Sequence, residues 1–496
     1  MSQEWQIKNP SISLYPFHLR DDRDEGYKQV AKNAQILWEN LADNVGQEFN
    51  INELNSLRDK LICYKNGVYY PDGEGENLTQ VKLLIPDGKT LKFQPITQPD
   101  HQKLDGYINA LRLQDTYTAD LTFYYQNVTI KVAELTRLNP QGCLLPNAIQ
   151  PSLGQTLLLY AAPAVYNTYR KLADESVKAF VQDKQPASVD FCAEGKLFGS
   201  PIFEYESGED DACQRCHILV WLQDNPQTRE FATSTFSFYL MNLLCYRSKI
   251  VFVYGEARQK YRKAQQIVGE LEKKFPEFSA IIESEQNRQD KLQKLKELLA
   301  EVRTKMLAFA QQMRYLQEDR NTIDTNAESY GKELTKIRGL CIPGDNLDFW
   351  QRFLDLAEDK YQGQIEIDLN YLIASQNLFQ QSISTVRGMV EIEQVELDSE
   401  QEDREKKRDR QLENIIFFVG TAIGGGQIFS ASYPLIKDTP IKWRPDFSLP
   451  LHPFTATIIW SLLFGVGFGL LILGILPLAR KISPRIMPLV RKILPR

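Results

Sequence analysis

The chain has 496 residues, a length that favours two or three domains, each with its own core. Its 58 basic and 64 acidic side chains give a formal net charge of −6. This balance argues against a general nucleic-acid-binding protein, which would carry a basic surface, so no direct nucleic-acid partner is expected.

The N-terminal text MSQEWQIKNPSISLYPF has no basic segment followed by an apolar stretch and a cleavage site, so it predicts no secretory signal. We therefore expect the N-terminal part of the chain in the cytoplasm. The seven cysteines are odd in number and scattered, which argues against a disulfide framework.

Residues 1–230 contain short runs in which apolar and polar residues alternate, set among Pro, Gly, Asn and Asp. Alternation with a period of two in VKLLIPDGKTLKFQPI, ADLTFYYQNVTIKV and CHILVWL predicts strands, and PDGK predicts a turn. The sequence thus predicts a mixed α/β domain over 1–230. It contains none of the common nucleotide-binding, zinc-protease or serine-hydrolase motifs and the chain has only four histidines, so no enzyme is expected.

The text CQRCH, residues 213–217, has the spacing of a c-type haem attachment site. Haem is attached outside the cytoplasm, so this interpretation conflicts with the expected location. Zinc is a second interpretation, because thiolates and imidazoles are its preferred ligands, although a single cysteine pair is more typical of a structural turn. The four candidate zinc ligands are Cys192, Cys213, Cys216 and His217.

Residues 231–411 form the predicted long-helix region. Residues 232–275 look helical, and the stretch from 277 to 433 contains a single proline, Pro343. Because proline costs a helix interior about 3 kcal/mol, this stretch can hold two long helices that meet at Pro343. Apolar residues recur in both at three- and four-residue steps, as in coiled coils. They are Leu292, Leu295, Leu299, Val302, Met306, Phe309, Met313, Leu316 and Ile323, then Ile365, Leu369, Leu372, Phe379, Ile383, Val386, Val390 and Leu397.

The turn CIPGDN predicts that these two helices are antiparallel. Asp345 or Asn346 can cap the second helix by accepting from its free N–H groups. The second helix is predicted to run unbroken from about residue 346 to 432, on the order of 130 Å at 1.5 Å per residue.

An acidic block and then a basic block lie near the end of this helix. A solvated helix face beside a lipid-headgroup anchor is the simplest interpretation. In a closed ring of identical subunits the same residues would form an acidic collar and a basic ring, and rings of charge control which ions pass. The collar candidates are Glu393, Glu396, Asp398 and Glu400, and the basic-ring candidates are Lys406, Lys407, Arg408 and Arg410.

Two apolar segments within residues 412–478 predict a transmembrane hairpin. Residues 454–478 carry no charge and match the roughly 20 residues that cross about 30 Å of hydrocarbon. Residues 415–432 are rich in glycine, which a bilayer tolerates because backbone groups have no other partner there. Basic residues before the hairpin and in the tail, 479–496, outnumber those between the spans. Both termini are therefore expected in the cytoplasm of a multi-pass plasma-membrane protein.

The first span has a face that is polar at both ends and in the middle. On a helix that advances 100° per residue, the residues of this face lie within about 40° of one line. A pore wall and a helix that only packs against its neighbours fit this pattern equally well. The pore-lining candidates are Asn414, Phe418, Thr421, Gly425, Ile428 and Ser432.

The predicted fold class is α+β, with an N-terminal cytosolic α/β domain, long antiparallel coiled-coil-like helices and a C-terminal two-helix transmembrane hairpin. This arrangement resembles the CorA superfamily of divalent-cation channels over nearly the whole chain, most closely in YQGQIEIDLNYLIASQNLFQQSISTVRGMVEIEQVE, which looks like its stalk helix. The resemblance implies a homopentamer whose first span lines the pore, with a basic ring near the cytoplasmic mouth. It also implies a divalent cation such as magnesium as the transported ion, and no cofactor.

Two departures from the family argue against ordinary magnesium uptake. The Gly-Met-Asn motif at the end of the first span is replaced by GQIFSASYP, and the outer loop is slightly basic where that of the family is acidic. CorA-like proteins without the motif include membrane effectors of type III CRISPR systems that respond to nucleotides, and this resemblance implies, as the alternative function, an effector with a small nucleotide ligand. A non-conducting tether for a coiled-coil protein is the third alternative.

Overall fold

The computed structural model describes residues 5–22, 29–75, 81–98, 101–164, 168–182, 188–209, 211–284 and 287–400, without the side chains of residues 234 and 396–400. The predicted transmembrane hairpin over 412–478 and the tail over 479–496 lie outside these residues.

Strands dominate the part before residue 230, as the alternating sequence predicts. In chain order they are β1 (Gln6–Leu19), β2 (Tyr64–Lys65), β3 (Val68–Tyr69), β4 (Val81–Leu83), β5 (Leu91–Lys92), β6 (Ile96–Thr97), β7 (Lys103–Leu113), β8 (Thr116–Tyr125), β9 (Thr129–Lys131), β10 (Gln155–Pro163), β11 (Val189–Leu197), β12 (Ser200–Ser207) and β13 (Cys216–Leu222).

Eleven of these strands form one mixed sheet in the order β11-β12-β13-β10-β1-β8-β7-β4, with β5 and β6 on β7 and β9 on β1. β10 and β13 are parallel, and the other pairs are antiparallel. The predicted PDGK turn lies between β4 and β5, at Pro86–Gly88. The two strands beside it both pair with β7 instead of with each other.

The helices of the described residues include three long ones. In chain order they are α1 (Ile36–Asn40), α2 (Asn52–Asn55), α3 (Leu57–Lys60), α4 (Pro146–Ile149), α5 (Tyr169–Val181), α6 (Thr228–Phe231), α7 (Ser234–Glu283), α8 (Arg288–Arg338), α9 (Asp348–Asp355) and α10 (Gly363–Glu400). A π-helical segment, Leu356–Gln362, joins α9 to α10, so the chain is helical from residue 348 to 400. The coarse α+β prediction of a sheet domain followed by long helices is therefore confirmed.

The sheet has a separate core on each face because successive strand residues point to opposite sides. In β10, Leu157 and Leu159 pack into a core that also contains residues of α1 to α5. Leu158 between them packs into a second core formed with α7, α8, α9 and the start of α10. The start of α7, the later part of α8 and the start of α10 thus pack on one face of the sheet.

The chain divides into two compact units. The first consists of residues 1–275 and 305–382 and contains the sheet with the adjoining parts of the long helices. In the second, the described residues are 276–284, 287–304 and 383–400, which belong to α7, α8 and α10.

Within the first unit, α8 runs antiparallel to the helix that follows it, as predicted. Tyr330 donates to the backbone oxygen of Trp350, and farther along both helices Arg320 pairs with Glu366 at 3.0 Å. The pair farther from the turn in one helix is thus also farther from it in the other, as antiparallel helices require.

The second helix, predicted to start at about residue 346, begins at Asp348. The N-cap position is Leu347, and Asn346 just before it accepts from the backbone N–H of Asp348 at 2.8 Å, so it satisfies one free N–H of the helix as predicted. Asp345 instead accepts from the backbone N–H groups of Phe198 and Gly199, both at 2.8 Å. Its carboxylate therefore holds the β11–β12 turn against the helical turn.

The predicted helix over 232–275 is longer than the proline argument allowed, because α7 continues through Pro276 to Glu283. Pro276 is exposed, while Leu271 and Phe278 on either side are buried. Burial of such side chains offsets the roughly 3 kcal/mol cost of proline.

The predicted apolar seam of α8 is largely buried, with three differences. Met313 is only half-buried. Leu298 is buried where the pattern selected Leu299. Near Arg320, where the pattern breaks, the buried residue is Asp319, whose carboxylate pairs with Lys260 of α7 at 2.8 Å.

Candidate functional site

The predicted pore and basic ring cannot be placed on this fold because every one of their residues lies outside the described part of the chain. These are Asn414, Phe418, Thr421, Gly425, Ile428, Ser432, Lys406, Lys407, Arg408 and Arg410. Between residues 5 and 400, none of the described helices is both long enough and apolar enough to cross a membrane.

The predicted acidic collar begins in the described part of α10. The carboxylate of Glu393 lies 3.8 Å from Nε of Arg288, and the neighbouring Glu391 pairs with Arg387 at 2.8 Å. Glu393 thus has a basic partner in its own chain. The collar residues Glu396, Asp398 and Glu400 lie on the last turns of α10, and their side chains are outside the described set.

The four predicted zinc ligands are not brought together. Cys216 is buried on β13, and His217 beside it points to the opposite face of the sheet, as successive strand residues must. Both ring nitrogens of His217 are occupied, by Thr156 Oγ1 and Glu204 Oε1, each at 2.9 Å. No described group of three or more His, Cys, Asp and Glu side chains could hold a metal ion. The CQRC sequence instead spans a helical turn, Ala212–Gln214, and the first residue of β13, Cys216.

An exposed apolar face on α10 is the most unusual surface of the described residues. Five of the twelve large apolar side chains that are exposed there lie on this face, and two more, Ile373 and Val395, lie on other sides of the same helix. In the first unit, Ile367, Tyr371 and Leu378 are 50%, 66% and 52% exposed. In the second unit, Met389 and Ile392 are 38% and 62% exposed. α7 has no such residue in this set and α8 has one, Leu307.

These exposed residues follow the spacing of a second coiled-coil seam. At 100° per residue, they lie within about 40° of one line along the helix, together with exposed Ala374 and Thr385. We call these seven residues the outer seam of α10: Ile367, Tyr371, Ala374, Leu378, Thr385, Met389 and Ile392. The buried seam, with Leu369 and Phe379 among its members, lies on another side of the helix.

The outer seam is also poor in charge. No acidic or basic residue occurs between Leu369 and Val386, although many side chains of this stretch are exposed. A solvated surface helix normally carries charged residues on its outer face. Contiguous exposed apolar surface of this kind marks a protein–protein or membrane interaction site.

A buried cluster of ionised groups joins the sheet to α7. The guanidinium of Arg247 donates to both carboxylate oxygens of Glu206, at 2.9 and 3.3 Å, and lies 3.7 Å from Glu204. The same guanidinium lies over the ring of Phe353, 4.8 Å from its centroid. Glu204 and Glu206 both come from β12, so this arginine fixes the helix to the sheet.

The charges of this cluster control each other's protonation. Burial would raise the pKa of Glu206, but the adjacent charge of Arg247 and its hydrogen bonds lower it to about 2. Burial lowers the pKa of His217, and the nearby Arg247 lowers it further. The neutral imidazole then donates from Nε2 to Glu204 and accepts from Thr156 at Nδ1.

Lys249 makes a second ionic connection two residues along α7. Its ammonium pairs with Asp115, in the turn between β7 and β8, at 2.5 Å. Burial opposes ionisation of Asp115, but the charge of Lys249 lowers the pKa of this carboxyl group. Both connections lie in one stretch of α7, FYLMNLLCYRSKIVFVY. The two charges inside this apolar run were the sequence signal for them.

No protein-family model matches this chain, and no curated protein is detectably similar to it.

Proposed function

We propose that this chain is a CorA-like membrane protein that assembles through the outer seam of α10 and controls a membrane pore from its cytoplasmic sheet domain. The observation that carries the proposal is the exposed, uncharged outer seam on the helix that leads toward the apolar segments over 412–478. The proposal includes a plasma-membrane location with both termini in the cytoplasm, and a homopentamer by family resemblance.

Self-association fits the outer seam better than a lipid surface does. An interfacial membrane helix typically carries Lys or Arg on its polar face, and α10 has one such residue, Arg387, in 38 residues. Membrane spans that follow α10 would hold every copy in the same orientation. Parallel copies then present the same seam to a common axis, as closed symmetric oligomers require.

The assembly step can be tested by changing one seam residue. Leu378→Glu places a charge in the outer seam and is expected to reduce the oligomer measured by light scattering of the full-length protein in detergent. Asn377→Glu is the matched control, because Asn377 is exposed on the same helix about 100° away. Equal oligomer content in the two variants would contradict the proposed interface.

Ion conduction is the second step of the proposal. The first span would line the pore with Asn414, Thr421, Gly425 and Ser432, and a divalent cation such as magnesium is the ion that the resemblance implies. Flux into liposomes is expected for the wild-type protein and is expected to change in Asn414→Leu and Thr421→Leu. Absence of conductance under every ion and nucleotide tried would favour the non-conducting tether.

A nucleotide-responsive effector is the second candidate function. The observation that favours it is the ionic attachment of the sheet to α7 through Arg247 and Lys249, because a firmly attached domain can pass a ligand-induced change to the long helices. The test is calorimetric titration of the full-length protein with cyclic and linear oligonucleotide messengers. Saturable binding that opens a silent channel is expected, and binding without any change in flux would contradict this candidate.

A further inference from the structure

A polar patch lies across three adjacent strands of the sheet, β1, β8 and β7. Asn109 faces Asp120 and Tyr107 faces Thr122 across β7 and β8, while Ser13 faces the same Thr122 across β1 and β8. Residues that face each other directly in antiparallel strands share one side of the sheet, so all five side chains project from the same face. Thr122 is buried, and the other four are half-buried.

The carboxylate of Asp120 is only half satisfied by its neighbours. Thr122 donates to Oδ1 at 2.8 Å and itself accepts from Ser13 at 2.7 Å. The other oxygen, Oδ2, is 3.5 Å from both the Tyr107 hydroxyl and the Asn109 amide nitrogen. These last distances are at the outer limit of a hydrogen bond, so Oδ2 can accept further donors.

No basic side chain of the described residues lies within 4 Å of this carboxylate. Its surroundings raise the pKa of Asp120 through burial, and the hydrogen bonds from Thr122, Asn109 and Tyr107 do not reverse the effect. Asp115, five residues earlier in the same hairpin, is also buried, but it has Lys249 as a counter-charge, which lowers its pKa. Asp120 therefore lacks the counter-charge that the protein supplies to its neighbour.

Hydroxyl and amide groups beside the second core, on the same side of the sheet as Leu158, have an ordinary explanation, because they can satisfy one another by hydrogen bonds. A partly buried carboxylate without a cation has no such explanation, because its burial lowers the free energy of unfolding and it contributes nothing to packing. Such a group is retained readily when a ligand supplies the missing charge.

Aromatic rings beside the carboxylate narrow the chemistry of that ligand. The rings of Tyr107 and Tyr124 lie next to each other, with centroids 6.5 Å apart. Tyrosine faces attract organic cations, which adds to the attraction of a carboxylate. A hard metal ion such as Ca²⁺ would need six to eight oxygen ligands, more than this one carboxylate and its neighbours offer. Three strands at about 4.8 Å spacing give a patch that matches a single-ring compound.

We propose that this face binds a small organic cation, a protonated amine or an amidinium beside a ring, with the Asp120 carboxylate as its counter-ion. Two N–H groups of an amidinium can reach Oδ2 while the ring lies against Tyr107. The site is independent of the proposed assembly and of ion conduction.

Benzamidine is the probe, titrated against the full-length protein in detergent and followed by saturation-transfer NMR. Saturable binding is expected, and Asp120→Asn should weaken it about tenfold or more, because the variant keeps the shape and loses the charge. Benzyl alcohol, which has the ring without the cation, should bind more weakly by a similar factor.

The control is Asp87→Asn, at an exposed acidic residue in the turn between β4 and β5, which should leave benzamidine affinity unchanged. An unchanged melting temperature of Asp120→Asn establishes that the variant is folded. Absence of saturable binding to the wild-type protein, or equal affinity of wild type and Asp120→Asn, would overturn the proposal.

Discussion

Removal of the Arg247 side chain should destabilise the attachment of α7 to the sheet strongly. In Arg247→Met the apolar stem is retained while the guanidinium is lost. Buried Glu204 and half-buried Glu206 are then left near each other without the positive charge that pairs with both. The cost comes mainly from these uncompensated carboxylates.

The size of the effect follows from the pKa of Glu206. Its lowering from 4.5 to about 2 corresponds to about 3 kcal/mol of stability that is present above pH 4.5 and is lost as the pH falls toward 2. This agrees with the roughly 3–5 kcal/mol measured when one partner of a buried ion pair is removed. We expect Arg247→Met to cost about 3 kcal/mol at pH 7.

The assay is urea unfolding of the full-length protein in detergent, followed by tryptophan fluorescence. Arg262→Met, at an exposed arginine of the same helix, is the control and should change stability by about 0.5 kcal/mol or less. The triple variant Arg247→Met/Glu204→Gln/Glu206→Gln should recover much of the loss, because no buried charge remains. A loss below about 1 kcal/mol in the single variant, or no recovery in the triple variant, would refute the reasoning.

Two further predictions concern the same unit. Because burial lowers the pKa of His217, stability should fall as the pH drops below about 6.5, where the unfolded chain binds the proton and the folded chain does not. His217→Gln should reduce the difference in melting temperature between pH 7.5 and pH 5.5, and an unchanged difference would contradict this. Asp345→Ala removes an acceptor of three backbone N–H groups, including that of Ile342 at 3.0 Å, and should cost about 2 kcal/mol in the same urea assay. Asp345→Asn keeps one acceptor oxygen and should cost less, so equal losses would argue against the hydrogen bonds as the cause.

Local patterns in the sequence predicted local structure well, because they reflect burial on one face. Alternation in ADLTFYYQNVTIKV indicated strands where most of β8 and all of β9 lie, and the three- and four-residue steps indicated α8 and the buried seam of α10. Strand order could not be read in this way. The parallel pair of β10 and β13 joins segments about 60 residues apart, and no short pattern encodes such a contact.

The sequence did not decide the role of a residue or helix face where a second one had the same chemical capacity. Asp345 and Asn346 can both accept backbone N–H groups, and only the position of the β11–β12 turn separates their roles. Similarly, α10 carries two apolar seams, and the sequence does not say which of them packs within the chain. The ionic partners of Arg247 were also beyond prediction, because they come from a distant strand.

Disulfide cross-linking between copies of α10 tests the central claim most directly. The background carries Ser in place of Cys192, Cys213 and Cys341, the cysteines that are not buried. Thr385→Cys lies in the outer seam, and Ser384→Cys, also exposed, lies about 100° around the helix. In oxidised membranes of cells that produce the full-length protein, we expect covalent dimers from Thr385→Cys and several-fold fewer from Ser384→Cys. Equal dimer formation by the two variants, or none from Thr385→Cys, would contradict assembly through the outer seam.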